Sequence, residues 1–282
     1  MGQKEMPPAG RGRKPKLQHR LLGRDKTLDH AKPCGSFAPV FGAIINAVAI
    51  LVGGLFGVAN PNALGVGFQL RAKMFIGLCA FYVGLRMLWI SVNGTAMQTA
   101  KQLIIAMAAM VLGSFVGRLL RLHEASNSIG RYSSNILQGK AGSSGGFSDG
   151  FVACSLVLCA NPLGIVGSLL GGVLEAHPLF RHSPLLVKAM MDALAAASLA
   201  GIFRWGVIGS FLPVLAWQGT LALLAGTALP WLRDNNLIDS VGATGGIFIA
   251  VAALVIFEIK KVELASFIPG LFLAPVFTWW LK

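Results

Sequence analysis

The chain has 282 residues, of which 55% are hydrophobic and only 12% are charged. Soluble domains carry about 25% charged residues, so this composition excludes a soluble globular protein and indicates an integral membrane protein. The net charge of +13 does not indicate nucleic-acid binding, because nine of the 24 Lys and Arg residues lie in the first 37 positions.

Residues 1–37 are basic, polar and rich in Pro and Gly, without a sustained hydrophobic period. This pattern predicts a disordered N-terminal tail. The tail holds no apolar stretch of its own, so it does not read as a secretory signal peptide. A basic tail beside a membrane span most often meets anionic lipid. The remainder, residues 38–282, is predicted to be a polytopic membrane domain.

Eight apolar segments follow the tail, each close to the roughly 20 residues that a helix needs to cross a bilayer. They lie at 38–58, 74–93, 102–120, 149–174, 185–203, 205–229, 238–257 and 264–281. Backbone groups cannot stay unpaired in lipid, so each segment must be helical. The sequence therefore predicts an all-α, multi-pass helix bundle with about eight transmembrane helices.

Basic residues outside the tail indicate an orientation. Nine Lys and Arg residues fall in the predicted connections 1–2, 3–4, 5–6 and 7–8, against four at the other ends of the helices. The positive-inside rule places the first set in the cytoplasm. The nine basic residues of the tail argue for the opposite orientation.

Predicted helices 1–3 resemble predicted helices 6–8. Residues 45–54, INAVAILVGG, compare with residues 217–226, WQGTLALLAG. Asn46 and Gln218 occupy equivalent positions, and both stretches end on glycine. Predicted helices 1 and 6 cross in opposite directions, so a true repeat is inverted, as in secondary transporters with a midplane site. Chance similarity between apolar segments is the alternative.

Small residues spaced by four recur in several predicted helices. They are Gly53 and Gly57, Gly113 and Gly117, Gly167 and Gly171, and Gly242 and Gly246. Such pairs let helix backbones approach closely. Packing within one chain is the favoured interpretation, and a homo-oligomer interface is the alternative.

The fourth segment is interrupted by Asn161 and Pro162, in CSLVLCANPLGIVGSLLGG. Proline removes a helical hydrogen bond, and neither flank is long enough to cross a bilayer alone. The segment is therefore one broken helix or a re-entrant pair, with a filled proline kink as the plain alternative. A break frees carbonyls near Leu158 and amides near Leu163, and such half-helix ends bind substrates in transporters.

Two ionisable residues, Lys188 and Asp192, lie four apart on one face of the fifth predicted helix. Charges inside a membrane are costly and by default indicate function. They predict an ion- or proton-coupled pair at a substrate site; the alternative is a satisfied pair with Lys188 snorkelling to the surface. The amides Asn46, Gln218 and Asn161 favour a shared polar cavity over simple interhelical packing.

No catalytic or metal-binding sequence motif accompanies these residues. The sequence has no nucleophile–base arrangement, no HExxH and no Cys/His metal spacing, and its five His lie in the tail or connections. The four Cys are expected to be small apolar core residues. The sequence therefore predicts no enzyme activity, no metal and no cofactor.

Residues 41–281 resemble the bacterial integral membrane family catalogued as domain of unknown function 554. The resemblance rests on GAIINAVAILVGGLFG, SDGFVACSLVLCANPLGIVGS, KAMMDALAA, PVLAWQGTLALLAG and SVGATGGIFIAVAALVIFEIKKV. The basic tail and the stretch AHPLFRHSP depart from the family pattern. The resemblance implies an inner-membrane protein and brings no activity with it.

The residues favour a secondary transporter or permease for a small polar or ionic solute, with lipid as the other partner. Its site is predicted near the broken fourth helix and includes Asn161, Lys188, Asp192, Asn46 and Gln218. The rival hypothesis is a scaffold, sensor or assembly partner that acts through the tail and does not transport.

Overall fold

A computed structural model of the chain describes residues 39–60, 64–92, 94–139, 147–174, 183–260 and 262–281. The predicted tail, residues 1–37, lies outside these ranges. All regular structure within them is helical, in agreement with the predicted all-α class. The helices are α1 (Phe41–Ala59), α2 (Val66–Ser91), α3 (Ala96–Leu119), α4 (Leu122–Gly139), α5 (Phe147–Ala160), α6 (Pro162–Val173), α7 (Ser183–Phe203), α8 (Trp205–Gly209), α9 (Phe211–Asp234), α10 (Ile238–Ile256) and α11 (Ile268–Trp280), with a 3-10 turn at Leu264–Phe267.

Six stretches of the described chain are helical, long and apolar enough to cross a bilayer. They are α1, α2, α3, α7, α10 and the run Trp205–Asp234, which contains α8 and α9. The pair α5 and α6 passes the same test as one bent span. Leu264–Trp280 is apolar but shorter than the roughly 20 residues that a bilayer core needs. Length and composition therefore give six or seven spans, where the sequence predicted about eight.

Helix α10 lies at the centre of the bundle, since 61% of its span is buried, against 44% or less for the other spanning helices. The outer helices α2 and α3 expose large apolar side chains, among them Phe75, Leu78 and Phe115. Extended apolar surface of this kind suits contact with lipid rather than with water. The chain is therefore built as a membrane helix bundle.

Glycines set the closest helix crossings. On α1, a Cβ at Gly53 would overlap the carbonyl oxygen of Ala193 in α7. On α2, a Cβ at Gly84 would lie 2.7 Å from the carbonyl oxygen of Gly246 in α10. These small-residue positions are used for packing within one chain, as favoured from the sequence. Nothing in these contacts bears on a homo-oligomer.

The crossings also fix the directions of the helices. Gly77 lies against Phe257, and Gly242 lies against Ser91, so α2 and α10 are antiparallel. Lys101 bonds the carbonyl oxygen of Leu281, whereas Gly117, near the other end of α3, lies against Ser266. Helices α3 and α11 are therefore antiparallel as well.

Two further crossings are parallel. Gly53 lies against Ala193, and Gly57 lies against Ala197, one turn further along both α1 and α7. Helix α6 runs with α9 in the same way, because Gly164 lies beside Gln218 and the later Gly172 beside Ala222.

One end of the bundle therefore collects the C-terminal ends of α1, α3, α7 and α10 and the N-terminal end of α2. We call this end the basic face, after its residues Arg71, Lys73, Arg118, Arg121 and Arg204. The grouping matches the set of connections that the sequence predicted to share one side of the membrane.

Helices α5 and α6 form one broken span that joins the two faces. Gly150 in α5 lies against Phe203 near the basic face. Leu174, just after α6, lies beside Gly242 near the opposite face. The two helices meet at Asn161 with a bend of 58°. Between a broken helix and a re-entrant pair, two of the alternatives left open by the sequence, these contacts fit the broken helix.

Helix α4, Leu122–Gly139, has no counterpart among the eight apolar segments of the sequence. Residues 140–146, which follow it, lie outside the described ranges.

Candidate functional site

Lys188 and Asp192 form an ion pair inside the bundle. At 1.5 Å per residue, Asp192 lies about 14 Å along α7 from Ser183, near the middle of this 21-residue helix. Their side chains are 0% and 3% exposed, and Lys188 Nζ donates to Asp192 Oδ2. The two charges satisfy each other within the helix, as the alternative had it, but Lys188 does not snorkel to the surface, because its ammonium turns inward to the carboxylate one helical turn away.

Two buried amides from other helices join this pair. Asn46 Nδ2 on α1 donates to Asp192 Oδ2 at 2.9 Å and to Gln218 Oε1 on α9 at 3.0 Å. Both amide side chains are 0% exposed. Asp192 Oδ2 thus accepts from both the Lys188 ammonium and the Asn46 amide.

The helix break supplies a further partner for Lys188. Pro162 has no N–H, so the carbonyl of Leu158 four residues earlier loses its helical donor. Lys188 Nζ lies 3.5 Å from that carbonyl oxygen. On the other side of the break, Asn161 Oδ1 accepts from the Leu163 N–H at 3.0 Å and caps α6. The carbonyl of Leu158 and the amide of Leu163, which the sequence marked at the break, are thus both met by side-chain atoms.

Gly164 brings the first turn of α6 against these side chains. A Cβ at this position would lie 3.0 Å from Lys188 Cε and 3.1 Å from Gln218 Nε2. Any larger residue would push the two side chains apart. We refer to Asn46, the Leu158 carbonyl, Lys188, Asp192 and Gln218 together as the buried polar cluster.

Two atoms of the buried polar cluster lack a hydrogen-bond partner among the described residues. They are Asn46 Oδ1 and Gln218 Nε2, both inaccessible to solvent. A buried polar atom without a partner costs about 1–3 kcal/mol. One hydrogen-bond acceptor and one donor therefore remain without a partner among the described residues in the middle of the bundle.

A cavity of about 520 Å³ lies beside the break, toward the basic face. Its mouth is charged: Lys73 bonds Glu258 at 3.0 Å, and His123 Nδ1 lies 3.9 Å from Glu263. Its inner part is mainly apolar. The inner lining includes Asn161, Pro162, Leu163, Met191, Leu194, Ala195, Ser198 and Ala252.

The cavity and the buried polar cluster lie next to each other. Leu163 lines the cavity, whereas the next residue, Gly164, lies against Lys188. On α7, Met191 lines the cavity, whereas Asp192 belongs to the cluster. Of the three amides that the sequence predicted to share a polar cavity, Asn161 lines this cavity, whereas Asn46 and Gln218 bond each other in the buried polar cluster.

Several residues of the cavity had no signal in the sequence. Gln69, His123, Glu258 and Glu263 lie at helix ends or in connections that fold over the basic face. Ser198 could have been found, since it lies seven residues from Met191 and so shares its helix face.

The described residues contain no group of three or more His, Cys, Asp or Glu side chains that could hold a metal ion. Cys79, Cys154 and Cys159 are free thiols. Cys154 is buried among apolar side chains, as predicted.

Comparison with known proteins adds a family. The profile of the family described as "Protein of unknown function (DUF554)" matches residues 41–279. The chain is 24% identical over 238 residues to "Uncharacterized membrane protein YdfK" of Bacillus subtilis, covering 84% of this chain and 95% of that protein. It is 27% identical over 237 residues to "Uncharacterized protein YqgA" of Escherichia coli, covering 83% and 94%. No solved structure matches the chain.

Proposed function

The chain belongs to DUF554, a family described as proteins of unknown function, and from its site we propose that it is a secondary transporter for a small polar or ionic solute. The solute enters the cavity from the basic face and reaches the helix break at Asn161. The Lys188–Asp192 pair then couples binding to movement of the break.

The observation that carries this proposal is the position of the buried polar cluster directly beside the cavity and the helix break. An ion pair that only stabilised the fold would have no reason to lie beside a cavity that ends at a broken helix. Here Lys188 holds the carbonyl that Pro162 leaves free, and Gly164, in the first turn of α6, packs on the Lys188 side chain. Any rearrangement of the pair therefore acts directly on the broken helix.

An inverted repeat of α1–α3 and α9–α11 forms part of the proposal. Three antiparallel contacts support it: α1 with α9, α2 with α10 and α3 with α11. Asn46 bonds Gln218, the residue to which the repeat relates it, 172 positions later. Inverted repeats of this kind let one site face the two sides of a membrane in turn.

The remaining parts of the proposal concern place and partners. We assign the protein to the bacterial inner membrane with the basic face in the cytoplasm, following the distribution of Lys and Arg. The mixed charges at the cavity mouth, Lys73 with Glu258 and His123 with Glu263, suit a small polar or zwitterionic solute. A transporter is preferred to an enzyme because the hydrogen bonds of the cluster join its groups to one another.

The test is solute flux in proteoliposomes. Purified protein is reconstituted, and charge movement on a solid-supported membrane is recorded for a panel of amino acids, organic acids, sugars and inorganic ions. We expect one solute class to give a current in the wild type that Asp192→Asn abolishes. Asp234→Asn, which alters an exposed carboxylate at the end of α9, is the matched control and should keep the current.

Undiminished flux in Asp192→Asn at equal incorporation would remove Asp192 from the mechanism. If deletion of residues 1–37 abolishes the cellular phenotype and Asp192→Asn does not, the protein is instead a scaffold or sensor.

A further inference from the structure

We propose that the buried polar cluster is a binding site for a monovalent inorganic cation, with Na⁺ as the first candidate, and that this cation exchanges with the Lys188 ammonium. The role of the cation as a coupling ion rests on the proposed transport function. The site itself rests on the cluster.

The ligands that such a cation requires are already gathered. The Asp192 carboxylate, the Leu158 carbonyl and Gln218 Oε1 all face positively polarised groups, namely Lys188 Nζ and Asn46 Nδ2. Unwound backbone carbonyls and the C-terminal ends of half-helices are the groups that coordinate Na⁺ in broken-helix transporters. Leu158 is such a carbonyl, at the C-terminal end of α5.

Asn46 offers a fourth oxygen. Its Oδ1 atom is buried and has no partner among the described residues, while its Nδ2 lies between Asp192 Oδ2 and Gln218 Oε1. A half-turn of the amide exchanges nitrogen and oxygen and brings Oδ1 to the same two oxygens. That arrangement is repulsive unless a cation lies between them, because all three atoms are acceptors.

The cation and the Lys188 ammonium cannot occupy the cluster together, because both are positively charged. The cluster holds one carboxylate and one ammonium, and a second positive charge in this buried space would have no counter-charge. A cation can therefore bind only when Lys188 withdraws from Asp192. When Lys188 withdraws, its ammonium leaves the Leu158 carbonyl and its side chain leaves Gly164. Cation binding therefore acts on the helix break.

The test is cation-dependent thermal unfolding of the purified full-length protein in detergent. Tm is followed while NaCl, KCl or LiCl replaces choline chloride at constant ionic strength. A specific ligand raises Tm in a saturable manner that gives an apparent Kd. We expect Lys188→Met to bind Na⁺ at least about tenfold more tightly than the wild type, because the competing ammonium is gone. Lys101→Met, which alters an exposed lysine on α3, is the matched control and should keep the wild-type Kd.

Removal of the Asp192 carboxylate is the second part of this test. Asp192→Asn and the double variant Lys188→Met/Asp192→Asn should show no saturable response to any of the three cations. The double variant contains no unpaired buried charge, so it tests the site even if a single variant folds poorly. The proposal is overturned if Lys188→Met shows no saturable cation response, or if its Tm responds to pH alone, which would make the ligand a proton.

Flux measurements distinguish a failure of the cation site from a failure of the proposed transport function. Tight Na⁺ binding by Lys188→Met, with no solute flux in the wild type, supports the site and removes the transporter. Solute flux that is indifferent to cations, with no cation response in Lys188→Met, keeps the transporter and overturns the site.

Discussion

Removing one charge of the Lys188–Asp192 pair should destabilise the protein far more than removing both. Lys188 is 0% exposed and its partner carboxylate 3%, so either single replacement leaves an uncompensated buried charge. Such a loss costs about 3–5 kcal/mol. We therefore expect Asp192→Asn and Lys188→Met each to lower the free energy of unfolding by roughly this amount in choline buffer.

The double variant Lys188→Met/Asp192→Asn should be close to the wild type. Neutral side chains of similar size often replace a buried ion pair without loss of stability. Asn46 can still donate, because the new amide at position 192 also carries a carbonyl oxygen. We expect a change of less than about 2 kcal/mol, well below the sum of the single changes.

The assay is reversible unfolding in mixed detergent micelles, followed by Trp fluorescence for the four proteins of the cycle. A strongly favourable coupling energy between positions 188 and 192 supports the account. If the double variant loses as much stability as both single variants together, the two charges act independently, and the pair cannot work as a single unit.

Further predictions concern the break, the crossings and the cavity. Pro162→Ala restores an N–H for the Leu158 carbonyl, so spin labels on the two half-helices should report a bend well below 58° and flux should fall; an unchanged bend would contradict this. Gly53→Ala forces a Cβ onto the α7 backbone and should destabilise by about 1–3 kcal/mol in chemical unfolding. Gly67→Ala has open space around it and should be neutral or stabilising by up to about 1 kcal/mol; equal effects at both glycines would refute the crossing. In a cysteine-free background, Ser198→Cys should react with a small water-soluble thiol reagent and Ala196→Cys should not, since Ser198 lines the cavity and Ala196 is 0% exposed; equal reactivity would refute a hydrated cavity.

Local chemistry made much of the site predictable. The break was predicted from Pro162, which removes a helical hydrogen bond, together with flanks that are each too short to cross a bilayer; proline alone does not decide it, since Pro230 and Pro275 lie inside continuous helices. The pairing of Lys188 with Asp192 follows from helical spacing. The link between Asn46 and Gln218 was visible as equivalent positions in two similar stretches, although the sequence did not say that the two amides touch.

What could not be predicted depends on the rotation of helices about their axes. Asn161 was expected to share a cavity with Asn46 and Gln218, yet Leu163 lines the cavity while the next residue of α6, Gly164, lies against Lys188 and Gln218. A sequence gives the order of side chains around a helix but not which neighbour each of them meets.

The predicted count of eight spans is not confirmed, and the charged residues at the cavity mouth were not predicted, for different reasons. The apolar stretch 264–281 was counted as a span from its length in the sequence. Its first residues form a 3-10 turn, so the α-helix that follows is shorter than the stretch. His123 and Glu263 belong to connections that are far apart in the chain, and only the packing of α4 and of the turn before α11 brings them to one cavity.

The most direct test of the central claim is solute uptake by the neutral double variant Lys188→Met/Asp192→Asn in proteoliposomes. The account predicts a folded, normally inserted protein, because the buried charges are removed together, and no uptake, because nothing then couples the cavity to the helix break. Uptake at the wild-type rate by the folded double variant would contradict the claim that this ion pair serves transport.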